Sequence, residues 1–304
     1  SRYENREKRG DRMIAFLDKV GVEKFFADGE HAKNFIRELP FERFKDILIR
    51  ANGIIRGIPI VKRSADGAGI ALTDVDRKVA VYIPPRQEDK EELLQEGFES
   101  SKKMENTKDI GLLLSLLVNA IHLFSDGNGR TGRLIYILFN KGYHGNSEDK
   151  NYIGKILSEE GRDQIDPNPH YVEDAIWEEL KRSYLGIDTE DARQPRRVRG
   201  WDQGTRTLVS DSIDKSIPEE ERKRFIDITK DIRFAFLVIY KYLKDNDRLH
   251  QRYLETVYRD GQPFMTLIEL SRIASDLDRT DISAIEKEYW EAKKVYVRKL
   301  IDVI

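Results

Sequence analysis

The sequence predicts a mainly α-helical protein with one small β-hairpin. Three observations carry that expectation. Apolar residues recur at helical spacing from Asp11 to about Gly53, and again from Pro218 to the end of the chain. The run Ile110 to Ile121 is apolar over most of its circumference, the pattern of a helix buried in the middle of a helical domain. Two short β-branched runs, Ile58-Pro-Ile-Val61 and Val79-Ala-Val-Tyr-Ile83, flank Ala65-Asp-Gly-Ala-Gly69, which has the composition of a turn.

Taken in order, Met13, Ile14, Phe16, Leu17 and Val20 form a first apolar stripe. Phe35, Ile36 and Leu39 form a second, and Phe44, Ile47, Leu48 and Ile49 a third, with Pro40 placed to start the third helix. The hairpin spans about 58–83 and Pro84-Pro85 stops it. Glu88 to Met104 reads as an amphipathic helix, and Thr107 or Asp109 as the cap of the central apolar helix. A loop from Phe124 to Gly129 leads into a helix from Arg130 to about Lys141. Weaker helical signals follow at Asn151 to Ser158, and a clear one from Tyr171 to Tyr184. Gly186 to Ser216 is polar, carries Arg193, Arg196, Arg197 and Arg199, and reads as a linker with a solvated basic face. Beyond it, helices are expected at Glu221 to Lys244, Leu249 to Tyr258, Met265 to Leu277 and Ile282 to Ile304. The expected organisation is a domain over 1–186, a linker over 187–217 and a C-terminal helical region over 218–304.

The 304 residues suffice for one large or two ordinary domains. Charged residues make up 36% of the chain, yet the net charge is only −2. Mixed signs suit helices with solvated outer faces and argue against a general nucleic-acid-binding surface. There is no cysteine, which fits a reducing compartment, so the expected location is the cytoplasm, its own or a host cell's. No apolar stretch is long enough to span a membrane. The chain opens on Ser1 and not Met, which leaves a trimmed fragment open.

The chemistry concentrates in His122-Leu-Phe-Ser-Asp-Gly-Asn-Gly-Arg-Thr-Gly-Arg133. Glycines let backbone N–H groups approach an anion closely, and a following helix N-terminus adds positive potential. Asp126 is a hard oxygen ligand of the kind Mg²⁺ uses alongside phosphates. Arg130 and Arg133 lie one helical turn apart, so both can face one anion. His122 can accept a proton from an incoming hydroxyl. Gly127 to Gly132 also satisfies G-x-G-x-x-G, but the preceding apolar run is too long for a strand and its neighbours are helical. A P-loop fails because no Lys-Ser or Lys-Thr follows the glycines. A plain turn between core helices explains the glycines but not His122, Asp126, Asn128 and the two arginines. His31, His144, His170 and His250 form no metal-ligand pattern, and Tyr143 is expected to pack.

The segment resembles the signature of the Fic family, H-x-F-x-[DE]-G-N-G-R-x-x-R. His122, Phe124, Asp126, Gly127, Asn128, Gly129, Arg130 and Arg133 occupy every specified position. The family usually has proline after the histidine, where this chain has Leu123. The resemblance implies a Fic-type helical core with the hairpin as a flap that aligns a target segment. It implies transfer of AMP from ATP to a Ser, Thr or Tyr hydroxyl of a target protein, releasing pyrophosphate. In that mapping His122 is the general base and Asp126 holds Mg²⁺. Gly127, Asn128 and Gly129 form the anion hole, while Arg130 and Arg133 secure the pyrophosphate part. The implied cofactors are ATP as co-substrate and Mg²⁺. The implied partners are a protein substrate docked on the flap and an inhibitory segment or partner protein, with homo-oligomerisation left open. Gly129 stands where a kinase subgroup has lysine, which favours AMP transfer. Transfer of UMP, phosphocholine or phosphate, removal of AMP, and a catalytically silent binding module remain the alternatives.

Ser101-Lys-Lys-Met-Glu-Asn106 matches the family's inhibitory pattern, [ST]-x-x-x-E-[GN], whose glutamate pairs with the last arginine of the signature. It lies between hairpin and central helix, whereas the family's inhibitory helix precedes the core or ends the chain. The expectation is that Glu105 does not guard Arg133.

Overall fold

The computed structural model describes residues 6–22, 26–57, 70–71, 81–156, 170–186, 209–249 and 267–304, and they are mostly helical. Two compact units share them. One comprises Ser1–Asp66, Gln87–Asp174 and Val297–Ile304; the other comprises Gly67–Arg86 and Ala175–Tyr296. No helix among the described residues is long and apolar enough to cross a membrane.

The first unit opens with α1 (Arg6–Val20), α2 (Gly29–Glu38) and α3 (Phe41–Arg56). Asp28 caps α2 by accepting the His31 N–H, and Pro40 occupies the N-cap of α3, as its fixed φ suits. Gly57 ends α3 in the left-handed region. Next come α4 (Gln87–Ser101), α5 (Thr107–Ile121), α6 (Asn128–Lys141) and α7 (Ser147–Ile156). The cap of α5 is Asn106, not the expected Thr107 or Asp109; its carboxamide oxygen accepts the Lys108 N–H. A side chain one residue upstream reaches the free N–H groups, while Thr107 already has helical geometry.

Helix α5 is the centre of this unit. Leu113, Leu114, Leu117, Val118 and Ile121 are wholly buried, and burying each such side chain contributes about 1.5–3 kcal/mol. Helix α6 lies against it at two glycines. A Cβ on Gly111 would stand 2.6 Å from the Phe139 Cβ, and one on Gly132 would stand 2.8 Å from Asn119 Nδ2 and 3.0 Å from the Ser115 carbonyl. Around this pair Phe26 meets Phe139 edge-on, and Phe44 stacks on Phe98 at 4.3 Å.

In the second unit the expected hairpin falls largely outside the described residues. What is described is a two-residue antiparallel pair, β1 (Ile70–Ala71) with β2 (Val81–Tyr82), Ile70 opposite Tyr82, which does not amount to a flap. The basic cluster Arg193–Arg199 and all but the first residue of the expected helix 249–258 also lie outside the described residues. The helices are α8 (His170–Leu185, shared with the first unit), α9 (Glu219–Ile228), α10 (Ile232–Asp245), α11 (Leu267–Ser275) and α12 (Arg279–Val303, whose last residues also belong to the first unit). Residues 209–217, read from composition as linker, instead bury Val209, Ile213 and Ile217. Their spacing of four is the helical signal that the polar neighbours obscured.

The single helix expected from Glu221 to Lys244 is broken at Thr229 to Asp231. The last turn of α9 tightens through i→i−3 bonds from Lys230 and Asp231, and the Asp231 carboxylate turns to a buried partner. Asp231 pairs with the ammonium of Lys293, accepts the Ile83 N–H at 3.0 Å, and lies 3.4 Å from the Tyr289 hydroxyl. The Lys293 ammonium also faces the rings of Phe234, Tyr82 and Tyr289 at 3.4, 4.3 and 5.2 Å from their centroids. Burial, with the Asp231 charge beside it, pushes the Tyr289 phenol well above its ordinary range. Asp231→Ala should destabilise the protein by about 3–5 kcal/mol, because it strands a fully buried ammonium. Urea unfolding monitored by circular dichroism checks this; a loss under about 1 kcal/mol would mean that the pair is structurally idle.

Candidate active site

The loop between α5 and α6 is built by its own polar groups. His122 ends α5 in the left-handed conformation, φ 51° and ψ 58°, with its N–H on the Val118 carbonyl. Few non-glycine residues adopt this geometry, so it marks a position that the surroundings enforce. Leu123 frees His122 from the restriction that a following proline would impose. The Asn128 carboxamide, almost fully buried, then staples the loop: its oxygen accepts the Phe124 N–H at 2.9 Å and its nitrogen donates to the Phe124 carbonyl at 2.7 Å. Gly127 sits at φ 80°, where a Cβ would strike Asn52 Nδ2 at 2.8 Å.

Two residues outside the motif complete the frame. Asn52 of α3 donates to the Asp126 carbonyl at 3.0 Å and to the Thr131 hydroxyl at 3.2 Å. Thr131 in turn donates to the Gly127 carbonyl at 2.9 Å. Four residues on, Arg56 donates to Ser125 Oγ at 3.1 Å and holds its Nε 3.7 Å from the Asp126 carboxylate.

The loop therefore presents Asp126, its side chain well exposed, between two guanidinium groups, Arg56 and Arg130, the latter at 3.5 Å. Its other carboxylate oxygen accepts the Gly127 N–H at 2.7 Å. Helix geometry leaves the N–H groups of Asn128, Gly129 and Arg130 without carbonyl partners, and all three point out of the positive end of α6. The expected anion-facing pair separates: Arg130 turns back toward Asp126 and the Ile55 carbonyl, while Arg133 Nη1 lies over Gly129, 3.7 Å from where a Cβ would stand. Only Gly129 borders the site with room for ordinary contact, consistent with an open approach to the helix terminus.

His122 is half-buried. Burial pushes its imidazole down to about 4, the Lys90 ammonium adds to that, and Asp126 pulls weakly the other way. Lys90 is itself buried, and its Nζ donates to the His122 carbonyl at 3.1 Å. The ring is neutral at ordinary pH, the form with a lone pair for a proton.

Asn52, Arg56, Lys90 and Thr131 were not anticipated. Asn52 is the one that left a trace, a polar residue within an otherwise apolar α3 segment. Arg56 ends a helix, where a basic residue is unremarkable, and Lys90 hides in the charged run Glu88 to Glu92. Tyr143 packs, its hydroxyl donating to Asp18 at 3.0 Å. No group of three or more His, Cys, Asp or Glu side chains gathers among the described residues. A divalent ion at Asp126 would accordingly take most of its ligands from phosphate and water, as Mg²⁺ commonly does.

Glu105 bonds to Arg37 at 2.8 Å and to Lys33 at 3.4 Å, on an exposed surface. Exposed pairs contribute about 0–1 kcal/mol. Glu105→Gly should leave both stability and any transfer activity within about twofold of wild type. A large gain in self-modification on that change would show that Glu105 restrains the site.

Compared with known families, residues 45–140 match a family model described as Fic/DOC family. The match runs from within α3 to the end of α6 and takes in every residue of the loop frame. No curated protein and no solved structure matches the chain.

Proposed function

We propose that this protein transfers AMP from ATP to a hydroxyl side chain of a target protein. The observation that carries the reading is a neutral imidazole and an exposed carboxylate on the loop before the N-terminus of α6, with Arg133 over Gly129, all within the Fic/DOC match. Members of that family are commonly transferases, and the Gly127-Asn-Gly129 backbone at a positive helix end suits a phosphate.

In this reading the acceptor oxygen attacks the α-phosphorus of ATP while its proton passes to the His122 imidazole. The bond from that phosphorus to the bridging oxygen breaks, and pyrophosphate leaves with the electron pair. Asn128, Gly129 and Arg130 offer backbone N–H groups to the transferred phosphate. Arg130 and Arg133 neutralise the leaving part, and such charge neutralisation with positioning supplies most of the acceleration in phosphoryl-type transfer. Asp126 would hold Mg²⁺, which neutralises phosphate charge when bound; Arg56 and Arg130 pair with the carboxylate and orient it. The target segment would lie along 58–83. Gly129 disfavours the kinase variant, while labelling with ATP, UTP and CDP-choline side by side distinguishes the remaining transfer chemistries.

His122→Ala should lower transfer about 10²–10⁴-fold with ATP affinity nearly unchanged. In the wild type the acid limb of the pH–rate profile should fall well below the ordinary histidine value of 6.5, toward about 4. The sign follows from the depressed value: the unfolded chain binds the extra proton first, so His122 also costs folding stability as pH drops from 6.5 toward 4. Labelling by mass spectrometry across pH reads the rate, and transfer by the alanine variant at wild-type rate would refute the assignment.

Asp126→Ala should abolish the Mg²⁺ dependence of ATP binding, since Asp126 is the sole carboxylate of the loop. Calorimetric titration of ATP with and without Mg²⁺ decides; an intact metal effect in the variant places the ion elsewhere.

A further inference from the structure

Lys90 stands in a run of five charged residues, yet it is 1% exposed. Burying an ammonium is unfavourable unless it is hydrogen-bonded or paired, so a position that keeps one has a use for it. Its Nζ reaches from α4 to the carbonyl of His122, at the end of α5 where helix carbonyls lack intrahelical partners and negative potential gathers.

We propose that Lys90 is a positioning residue for His122: its ammonium holds the carbonyl of the left-handed residue that ends α5, and so fixes where the imidazole is presented. This rests on the reading of His122 as the base. The left-handed turn at a non-glycine residue needs support from outside the helix, and the Lys90 bond supplies it at the residue itself. Two charged groups act on the ring, Lys90 from α4 and Asp126 from the loop, and they oppose each other. Burial is the larger cause of the neutral ring, and Lys90 outweighs the opposing Asp126 charge.

The test follows the His122 imidazole by NMR titration, its signal assigned by its loss in His122→Ala, together with kcat and KM for ATP. Lys90→Met should raise the midpoint toward 6.5 and lower kcat by at least about tenfold, part of what a general base supplies, with KM nearly unchanged. Lys90→Arg, which keeps a cationic donor, should stay near wild type in both. Lys90→Gln keeps a donor without charge and should raise the midpoint, which carries the test if the methionine variant does not fold. A folded Met or Gln variant with the wild-type midpoint and kcat overturns the proposal, as does a loss in KM alone. The titration needs no nucleotide chemistry. A midpoint that rises in a chain that labels no protein supports the Lys90–His122 coupling and refutes AMP transfer instead.

Discussion

Between α5 and α6 there is no room for a methyl group at Gly111 or at Gly132. That close approach sets the geometry of the catalytic loop, because the chain must leave one helix and enter the other within six residues. The reversal begins with a left-handed His122 and closes with a left-handed Gly127. The Asn128 staple and the Asn52–Thr131 bonds then satisfy the buried backbone of the turn. Overpacking at either glycine contact would cost about 1–3 kcal/mol.

The electrostatics of the loop lean to one side. Arg56 and Arg130 flank the Asp126 carboxylate, Lys90 holds the His122 carbonyl, and the positive end of α6 lies beside the loop. Burial first, and the Lys90 ammonium second, depress the His122 imidazole and leave it with a free lone pair.

Much of the first unit was legible because its signals were local. Apolar spacing announced α1 to α3 and the all-round apolarity of α5, and a dense motif announced the loop. The misses share a cause: burial reverses the meaning of a charged residue, and spacing alone does not report burial. Lys90 and Lys293 look like solvated cations in sequence, yet each is enclosed. Asp231 likewise looked like the interior of a long helix, until its buried lysine explained the break. At 209–217, composition outweighed three isoleucine and valine positions that turned out to pack.

Ile83 draws its hydrogen-bond acceptor from Asp231, and the adjoining Tyr82 ring packs against Phe234 and Tyr296. The strand end that follows the hairpin is thereby completed by residues more than a hundred positions downstream. In a gene truncated after Gly186, that tether would vanish while the whole signature motif remained. Shortening the chain to the portion that carries the motif would thus remove the acceptor of the Ile83 N–H and the aromatic neighbours of Tyr82. Residues 81–83 and the C-terminal helices are therefore one structural unit, although the sequence separates them by more than a hundred positions.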